Sequence, residues 1–476
     1  MLRRAVSSLL AVAAAIVLAG CAATRPVNAP LAQFDRAAGY RYDTRPERPG
    51  NDPGTVVILA FSGGGTRAAA FSFGVLEELR RTEVEIGGRR TRLLDQVDMI
   101  TGVSGGSFTA LAYALHGERL FDDYERRFLK RNVQGELLSR FLSPANWSAL
   151  WSETWGRSEM AAQLYDEILF DGRTYGDLIG HPGPFVLATA TDISTGSRLG
   201  FSQGEFDLIC SDLSSVPLSR AVASSSAVPL VLSPLTFNNY GGNSGYRDPT
   251  WVRQFRDPDN RLRPAGRALQ RIREMDSFKD GANRPFLHLV DGGVSDNLGV
   301  RSVLETLEQI EASRTLRRSA KTDDIERLVV VVVNSLSVPK TDWDRRERPP
   351  NDVQILLKAT GVPIDRYSYE AVELLRDLAV RWHTLRSLRQ AGAFVNAGNP
   401  LLARAADVPD IELYAIDVSF EALSDESERE FLNQTPTSFV LTDEQVDRLR
   451  AAAGVALRQS PEYARLLRDL GSAARK

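Results

Sequence analysis

The fold is decided by the stretch Thr55-Val56-Val57-Ile58-Leu59-Ala60-Phe61-Ser62-Gly63-Gly64-Gly65-Thr66-Arg67. The segment up to Phe61 is almost wholly apolar, which is typical of a strand buried on both faces of a parallel sheet. Glycines follow at once, and residues 68–79 then predict a helix. A buried strand, a tight turn and a helix form the first half of a crossover unit, so this stretch predicts an α/β fold.

The same alternation continues along the chain. A second strand, turn and helix centre on residues 98–115, and further apolar runs suited to strands lie at 185–190, 286–290, 328–333 and 411–418. Apolar residues at helical spacing from Val372 to Leu385 predict a further helix, and residues 443–470 predict two terminal helices. Strands alternating with helices indicate a mainly parallel central sheet.

A candidate nucleophile lies in Gly102-Val103-Ser104-Gly105-Gly106, a match to G-x-S-x-G. Such a serine sits on a tight strand-to-helix turn, where the strained backbone exposes its hydroxyl and the flanking glycines let the chain cross closely. So short a pattern also arises by chance. Here an apolar segment precedes it and a helical stretch follows, and this context favours the nucleophile.

The glycine run Gly63-Gly64-Gly65 allows three interpretations. Consecutive glycines can turn backbone N–H groups toward a phosphate, but the spacing matches neither G-x-G-x-x-G nor a Walker loop. The same N–H groups can form an oxyanion hole for a tetrahedral acyl intermediate. The third interpretation is a tight turn that binds nothing.

A carboxylate candidate follows the strand at 286–290, in Asp291-Gly292-Gly293. An aspartate at the carboxyl end of a strand is well placed for a site, because α/β sheets bind ligands at that edge. Taken alone, the motif favours a turn in which the aspartate side chain hydrogen-bonds its own backbone.

Taken together and in this order, the glycine run, the Ser104 turn and Asp291-Gly292-Gly293 resemble the patatin-like phospholipase family. A further match is Ser225-Ser226-Ala227-Val228-Pro229 with Pro234. Ser224 stands where the family usually has Ala, and Ser62 stands where some members have Asp or Gly. The resemblance covers about residues 55–335 and implies a three-layer fold: a mainly parallel sheet, helices on both faces, and a helical C-terminal extension.

The resemblance also implies an activity. Ser104 and Asp291 would form a catalytic dyad, with an oxyanion hole at Gly63, Gly64 and Gly65. Supporting positions would be Arg67, Gly102, Gly106, Gly292 and Gly293. The expected protein is a carboxylic ester hydrolase of phospholipid or other acyl-ester lipids, working through an acyl-serine. We expect no cofactor and no calcium or zinc requirement.

Two alternatives stay open. In a Ser-His-Asp esterase the base would be a histidine, and His383 or His288 is available. Alternatively, the chain is a membrane-anchored binding or assembly lipoprotein with an inactive hydrolase fold.

The N-terminal residues predict a targeting signal. Arg3 and Arg4 precede an apolar run, and Leu18-Ala19-Gly20-Cys21 resembles a bacterial lipobox. We predict a lipoprotein signal peptide at 1–20, lipidation of Cys21, a tether at 21–53, a hydrolase core at 54–340 and a C-terminal extension at 341–476 packed on the core. The absence of Asp at position 22 favours anchoring in the outer membrane of a bacterial cell envelope.

Composition excludes other classes. The 476 residues include 58 Lys and Arg against 61 Asp and Glu, for a net charge of -3, which argues against a nucleic-acid-binding protein. Two cysteines cannot build a disulfide scaffold, and four histidines limit metal sites. Residues 237–284 are longer than an ordinary connection and predict a lid or binding loop. The arginines between Arg247 and Arg273 suggest the hypothesis that this loop meets lipid headgroup phosphates.

Overall fold

The computed structural model describes residues 24–86, 88–150, 152, 154–256, 266–312, 324–341, 343–394 and 408–471. The predicted signal peptide and Cys21 therefore lie outside the described residues. The strands are β1 Thr55–Phe61, β2 Glu83–Ile86, β3 Arg89–Arg92, β4 Val97–Val103, β5 Phe185–Asp192, β6 Ser197–Gly200, β7 Leu235–Asn238, β8 Phe286–Asp291, β9 Arg327–Asn334 and β10 Glu412–Ser419.

One large sheet organises the molecule. Its strand order is β10-β9-β1-β4-β5-β8-β7, with β6 beside β5, while β2 and β3 form a separate hairpin. From β10 to β5 every neighbouring pair is parallel. The predicted mainly parallel sheet is thus confirmed.

Helices cover both faces of this sheet. They are α1 Gly65–Arg81, α2 Gly105–His116, α3 Leu120–Tyr124, α4 Val133–Leu142, α5 Trp147–Leu150, α6 Arg157–Tyr165, α7 Gln203–Phe206, α8 Leu218–Ser225, α9 Thr250–Arg256, α10 Gly266–Lys279, α11 Gly293–Asp296, α12 Arg301–Ala312, α13 Asp352–Gln390, α14 Glu426–Asn433, α15 Asp443–Gln459 and α16 Pro461–Asp469. Among the residues that the structure describes, no helix is both long and apolar enough to cross a bilayer.

Strand β1 shows how the layers form, because its side chains alternate between the two faces. Leu59 joins the larger core with residues of α1, such as Phe71. Its neighbour Ala60 joins the second core with Leu304 of α12 and Trp382 of α13. The chain therefore has the three-layer α/β arrangement expected of it.

The C-terminal part belongs to this body. Strand β10 pairs in parallel with β9 along its whole length and extends the main sheet. Helix α15 packs on α1, where a Cβ atom on Gly74 would lie 2.3 Å from the carbonyl oxygen of Arg450. The extension thus supplies an edge strand as well as helices.

Two predicted loops differ from expectation. In the predicted tether, the Asn28 amide donates a 2.8 Å hydrogen bond to Ser211 Oγ, and Arg41 forms a 2.7 Å ion pair with Asp207. Its described part therefore packs on the core, because its polar side chains find buried partners there. The predicted lid at 237–284 contains α9 and α10 rather than a long open loop.

Three of the six described arginines in that second region form ion pairs within the protein. Arg261 and Arg263 lie outside the described residues. Ion pairs join Arg256 to Asp248 and Asp276, Arg267 to Glu308, and Arg271 to Glu205 and Glu274. These three guanidinium groups already bind carboxylates of the protein, which removes the basis for the headgroup hypothesis at their positions.

Candidate active site

Ser104 occupies a strained turn between β4 and α2. Its φ of 47° and ψ of -120° lie in a region that residues other than glycine rarely adopt. The Ser104 carbonyl accepts hydrogen bonds from the Ser107 hydroxyl at 2.6 Å and the Ser107 N–H at 3.0 Å. This geometry is that of a nucleophile turn, which lifts the serine side chain off the end of its strand.

The two glycine turns that follow β1 and β4 touch each other. A Cβ atom on Gly105 would lie 1.9 Å from the carbonyl oxygen of Gly65. A Cβ on Gly106 would lie 2.6 Å from the Ser62 carbonyl oxygen. Any side chain at these positions would push the turns apart, so the glycines set the distance between the loop and Ser104.

Asp291 is the last residue of β8 and lies near the end of β4, which Ser104 follows. Strand β5 lies between β4 and β8, and its register pairs Thr189 with Val103 and Ala190 with Asp291. The sequence predicts that Asp291 ends a strand parallel to its neighbours. Instead β8 runs antiparallel to β5, so the chain reaches Asp291 from the opposite direction. The next residue, Gly292, sits against the sheet, where a Cβ would lie 2.3 Å from the Thr189 carbonyl oxygen.

The Asp291 carboxyl group is buried and hydrogen-bonded. Its Oδ1 accepts a 2.7 Å hydrogen bond from the Gly293 N–H, and the Ser104 hydroxyl lies near enough to the carboxyl group to favour its ionised form. Burial raises the pKa of Asp291 to about 6, although both of these groups lower the pKa. The group is therefore largely ionised at neutral pH and close to the range in which a general base works well.

The segment after α8 ties the serine and the aspartate together. The Ser225 hydroxyl oxygen accepts a 2.9 Å hydrogen bond from the Ser104 N–H. The Ser225 carbonyl accepts from Gly292 and the Ala227 carbonyl accepts from Asp291, both at 3.0 Å. One short segment thus fixes the backbone of both residues.

The glycine loop presents only part of the expected set of donors. The Gly63 N–H donates a 2.8 Å bond to the carbonyl oxygen of Asn297, so it is not open to a ligand. Within the described part of the chain, the N–H groups of Gly64 and Gly65 have no acceptor. Both stand at the start of α1, where the backbone N–H groups favour negative charge.

A family model described as patatin-like phospholipase matches residues 59–304 of this chain. That range holds the glycine loop, the Ser104 turn and Asp291. The chain belongs to the patatin-like phospholipase family. Family membership supports lipid acyl hydrolysis as the general class of activity. No curated protein matches the chain.

Two solved structures resemble this patatin-like protein. Human GIVD cytosolic phospholipase A2 has 12% sequence identity and a TM-score of 0.44, with 87% of this chain and 62% of that chain covered. This chain therefore spans less than two thirds of the human enzyme. VipD from Legionella pneumophila has 11% identity and a TM-score of 0.24, with 90% of this chain and 71% of that chain covered.

Arg67 braces the loop of this patatin-like site from within. Its buried side chain donates 2.8 Å and 2.9 Å hydrogen bonds to the carbonyl oxygens of Ser335 and Thr435. Burial lowers the pKa of Arg67 to about 10, and the nearby Asp365 carboxylate opposes that change. A Cβ on Gly64 would lie 3.0 Å from Arg67 Nη2, so the guanidinium backs directly on the glycine loop.

No histidine contacts Ser104 in the described ranges. His383 lies 3.0 Å from Glu412 at the start of β10, which is the opposite edge of the parallel sheet from the end of β4. The His288 ring bonds the Thr236 hydroxyl at 3.0 Å. The geometry gives the rival triad no base.

Sequence reasoning missed two contributors. Ser225 was noted only as part of a family segment, although its hydroxyl holds the Ser104 amide. Asn297 was not singled out, yet its carbonyl takes the Gly63 amide, and its Oδ1 would lie 2.5 Å from a Cβ on Gly63 and 2.9 Å from one on Gly293. In the sequence, Asn297 is marked only as a polar residue a few positions after Asp291-Gly292-Gly293.

Proposed function

We propose that this protein is a serine lipid acyl hydrolase, a phospholipase or esterase, that uses Ser104 and Asp291 as a dyad. The observation that carries the proposal is the position of the buried Asp291 carboxyl group beside Ser104, with the backbone of both residues held by the segment that begins at Ser225. A serine hydroxyl is a poor nucleophile unless a neighbouring base takes its proton. With a pKa of about 6, Asp291 is ionised at neutral pH and can do so.

In the first half-reaction the Ser104 oxygen attacks the ester carbonyl carbon while its proton passes to Asp291. The carbonyl oxygen becomes an anion in the tetrahedral intermediate. The C–O bond to the alcohol then breaks, and the protonated Asp291 returns the proton to the leaving oxygen. The products are an acyl-serine and the free alcohol part of the lipid.

In the second half-reaction a water molecule replaces the alcohol. Asp291 takes one proton from it as the water oxygen attacks the acyl-serine carbon. Collapse of the intermediate breaks the bond to the Ser104 oxygen, which regains a proton from Asp291. The fatty acid leaves, and the starting protonation states are restored.

The oxyanion donors that we propose are the N–H groups of Gly64 and Gly65, whose hydrogens have no acceptor within the described residues. Gly63 is not a donor in this proposal, because its N–H is used by Asn297. Removing one oxyanion donor typically costs about 3 kcal/mol of transition-state stabilisation, so two well-placed amides are a large contribution.

The experiment that tests this function is labelling with a fluorophosphonate probe, which reacts with activated serines. Labelling of the folded protein that disappears in Ser104→Ala supports the enzyme. If the folded protein takes up no label and hydrolyses no phospholipid, the chain is instead a binding or assembly lipoprotein with an inactive fold.

We also propose that the mature protein is anchored in the bacterial outer membrane through acyl chains on Cys21. The lipobox-like sequence before Cys21 supports this. Labelled palmitate should enter the wild-type protein and not the Cys21→Ser variant. A wild-type protein that takes up no fatty acid would remove the anchor and leave the hydrolase proposal intact.

A further inference from the structure

Helix α13 divides into two halves with different surroundings. In its second half Val372, Leu375, Leu378 and Trp382 are buried in the core under the sheet. Within its first half, residues 352–362 stand exposed to solvent at nearly every described side chain. We call residues 352–362 the arm.

The arm is apolar as well as exposed. Its described apolar side chains include Ile355, 48% exposed, and Leu356, 47% exposed, with Val362 exposed near its end. Lys358 is the single charged residue between positions 353 and 362. Gln354 and Lys358, one turn apart, form its polar side, while the exposed apolar side chains carry a surface that another apolar phase would cover.

The C-terminal end of the arm joins the body near the site formed by Ser104, Asp291 and the glycine loop, which we call the catalytic mouth. Helix α13 also contacts α11, the helix that begins two residues after Asp291. Pro363 lies inside α13 and removes one backbone hydrogen bond at the point where the arm meets the body. Two residues later, the Asp365 carboxylate interacts electrostatically with Arg67, which backs on Gly64 of the glycine loop. Further exposed apolar side chains belong to Val294, next to Gly293, and Val338, three residues after Ser335.

Aromatic and arginine side chains flank the arm, and the exposed Asp344 and Glu347 lie among the arginines before it. Before it come the half-buried Trp343 and the exposed Arg345 and Arg348. After it come Tyr367 and Tyr369, both strongly exposed. Aromatic rings with a polar edge and arginine side chains favour the headgroup level of a bilayer, on both sides of an apolar segment.

We propose that the arm lies in the headgroup and acyl boundary of a lipid bilayer and holds the catalytic mouth against that surface. The arm is about 16 Å long at 1.5 Å per residue, which suits lying in the interface and is far too short to span a bilayer. The inference rests on the proposed function, since it names the surface from which that site takes its substrate.

Site-specific fluorescence tests where the arm lies. An environment-sensitive dye is placed on Ile355→Cys in the full chain, with Val380→Cys as the matched control, because Val380 is exposed on the other half of the same helix. Cys210 is buried, and labelling of the parent chain gives the background. With phosphatidylglycerol-containing vesicles, the position 355 dye should shift to the blue and be quenched by lipids brominated in the acyl chain, while the control dye does neither.

Two results would overturn the proposal. One is equal emission from the two positions in the presence of vesicles. The other is a blue shift at position 355 that grows with protein concentration in the absence of lipid, which would assign the arm to a second copy of the chain.

Hydrolysis separates this inference from the proposed function. Ile355→Lys with Leu356→Lys should lower phospholipid hydrolysis on vesicles about tenfold or more, because two charges enter the acyl boundary. Val380→Lys should not. Turnover of a soluble short-chain ester should be unchanged in all three proteins. If the double lysine variant hydrolyses vesicle phospholipid as fast as the parent chain, the membrane contact is wrong and the proposed function stands. If the parent chain turns over neither substrate, the proposed function itself is wrong.

Discussion

The backbone N–H of Ser104 donates a 2.9 Å hydrogen bond to the side-chain oxygen of Ser225, 121 positions further along the chain. Ser104 has a φ of 47°, a conformation that costs energy for a residue with a side chain. A buried acceptor for its amide offsets part of that cost. The same Ser225 holds the Gly292 amide through its carbonyl, so the orientation of nucleophile and aspartate depends on one segment.

Ser225→Ala should therefore lower turnover in a protein that still folds. The variant leaves the buried Ser104 amide without its acceptor, which costs about 1–3 kcal/mol and frees the strained turn to relax. We expect kcat on a soluble ester to fall about tenfold to a hundredfold while the circular dichroism spectrum is unchanged.

The matched control is Ser224→Ala. The Ser224 hydroxyl is equally buried, but it bonds only the Arg220 carbonyl within its own helix. This variant should keep kcat within about twofold, in line with a small loss for a helical back-bond. Equal losses in the two variants would contradict a specific role for Ser225.

The pH dependence of turnover should report Asp291. Burial raises its pKa to about 6, and only the ionised carboxylate can take the Ser104 proton. kcat/KM on a soluble, non-ionising ester should thus fall about tenfold per unit below pH 6 and level off above it. A profile that is flat from pH 5 to 8 would mean that another group is the base.

Asp291→Asn should abolish turnover and stabilise the protein at high pH. The pKa of Asp291 is raised from 3.8 to about 6 on folding, so its protonated form is the one that the fold favours. Its favourable contribution is complete below pH 4 and is lost as pH rises through 6, which amounts to about 3 kcal/mol at pH 8. Urea unfolding should show the variant gaining stability over the parent at pH 8 and little at pH 4.

Gly63→Ala should disable the glycine loop. Its Cβ would lie 2.5 Å from Asn297 Oδ1 and 3.3 Å from Ser104 Cβ, so the loop or the serine must move. We expect a loss of about a hundredfold or more in kcat, similar to losing an oxyanion donor. Gly266→Ala is the control, since a Cβ there meets nothing within 4 Å and should leave kcat unchanged.

The histidine alternative has its own test. His383 is exposed and bonds Glu412, and His288 bonds Thr236. His383→Gln and His288→Gln should each retain kcat within about twofold, because neither ring can reach the Ser104 proton. A thousandfold loss in either folded variant would restore the triad.

The sequence by itself determined the main strands β1, β4, β5, β8, β9 and β10, and it named Ser104 and Asp291 as the candidate reacting groups. The apolar runs at β1 and β9 predict strands buried on both faces, because only such a position shelters a continuous run of valine and other aliphatic side chains. Likewise, only glycine tolerates the close contact between Gly105 and Gly65, so the glycines in the local sequence predict these turns. Local chemistry was enough for these features.

The tertiary structure alone decided how the parts meet. The sequence predicts Asp291 at the edge that the ends of parallel strands share, yet β8 is antiparallel, and its register with β5 is what brings Asp291 to Ser104. The use of the Gly63 amide by Asn297 and the exposure of the arm also depend on neighbours far along the chain. Strand direction, hydrogen-bond partners and burial are properties of packing between distant segments, so no window of sequence contains them.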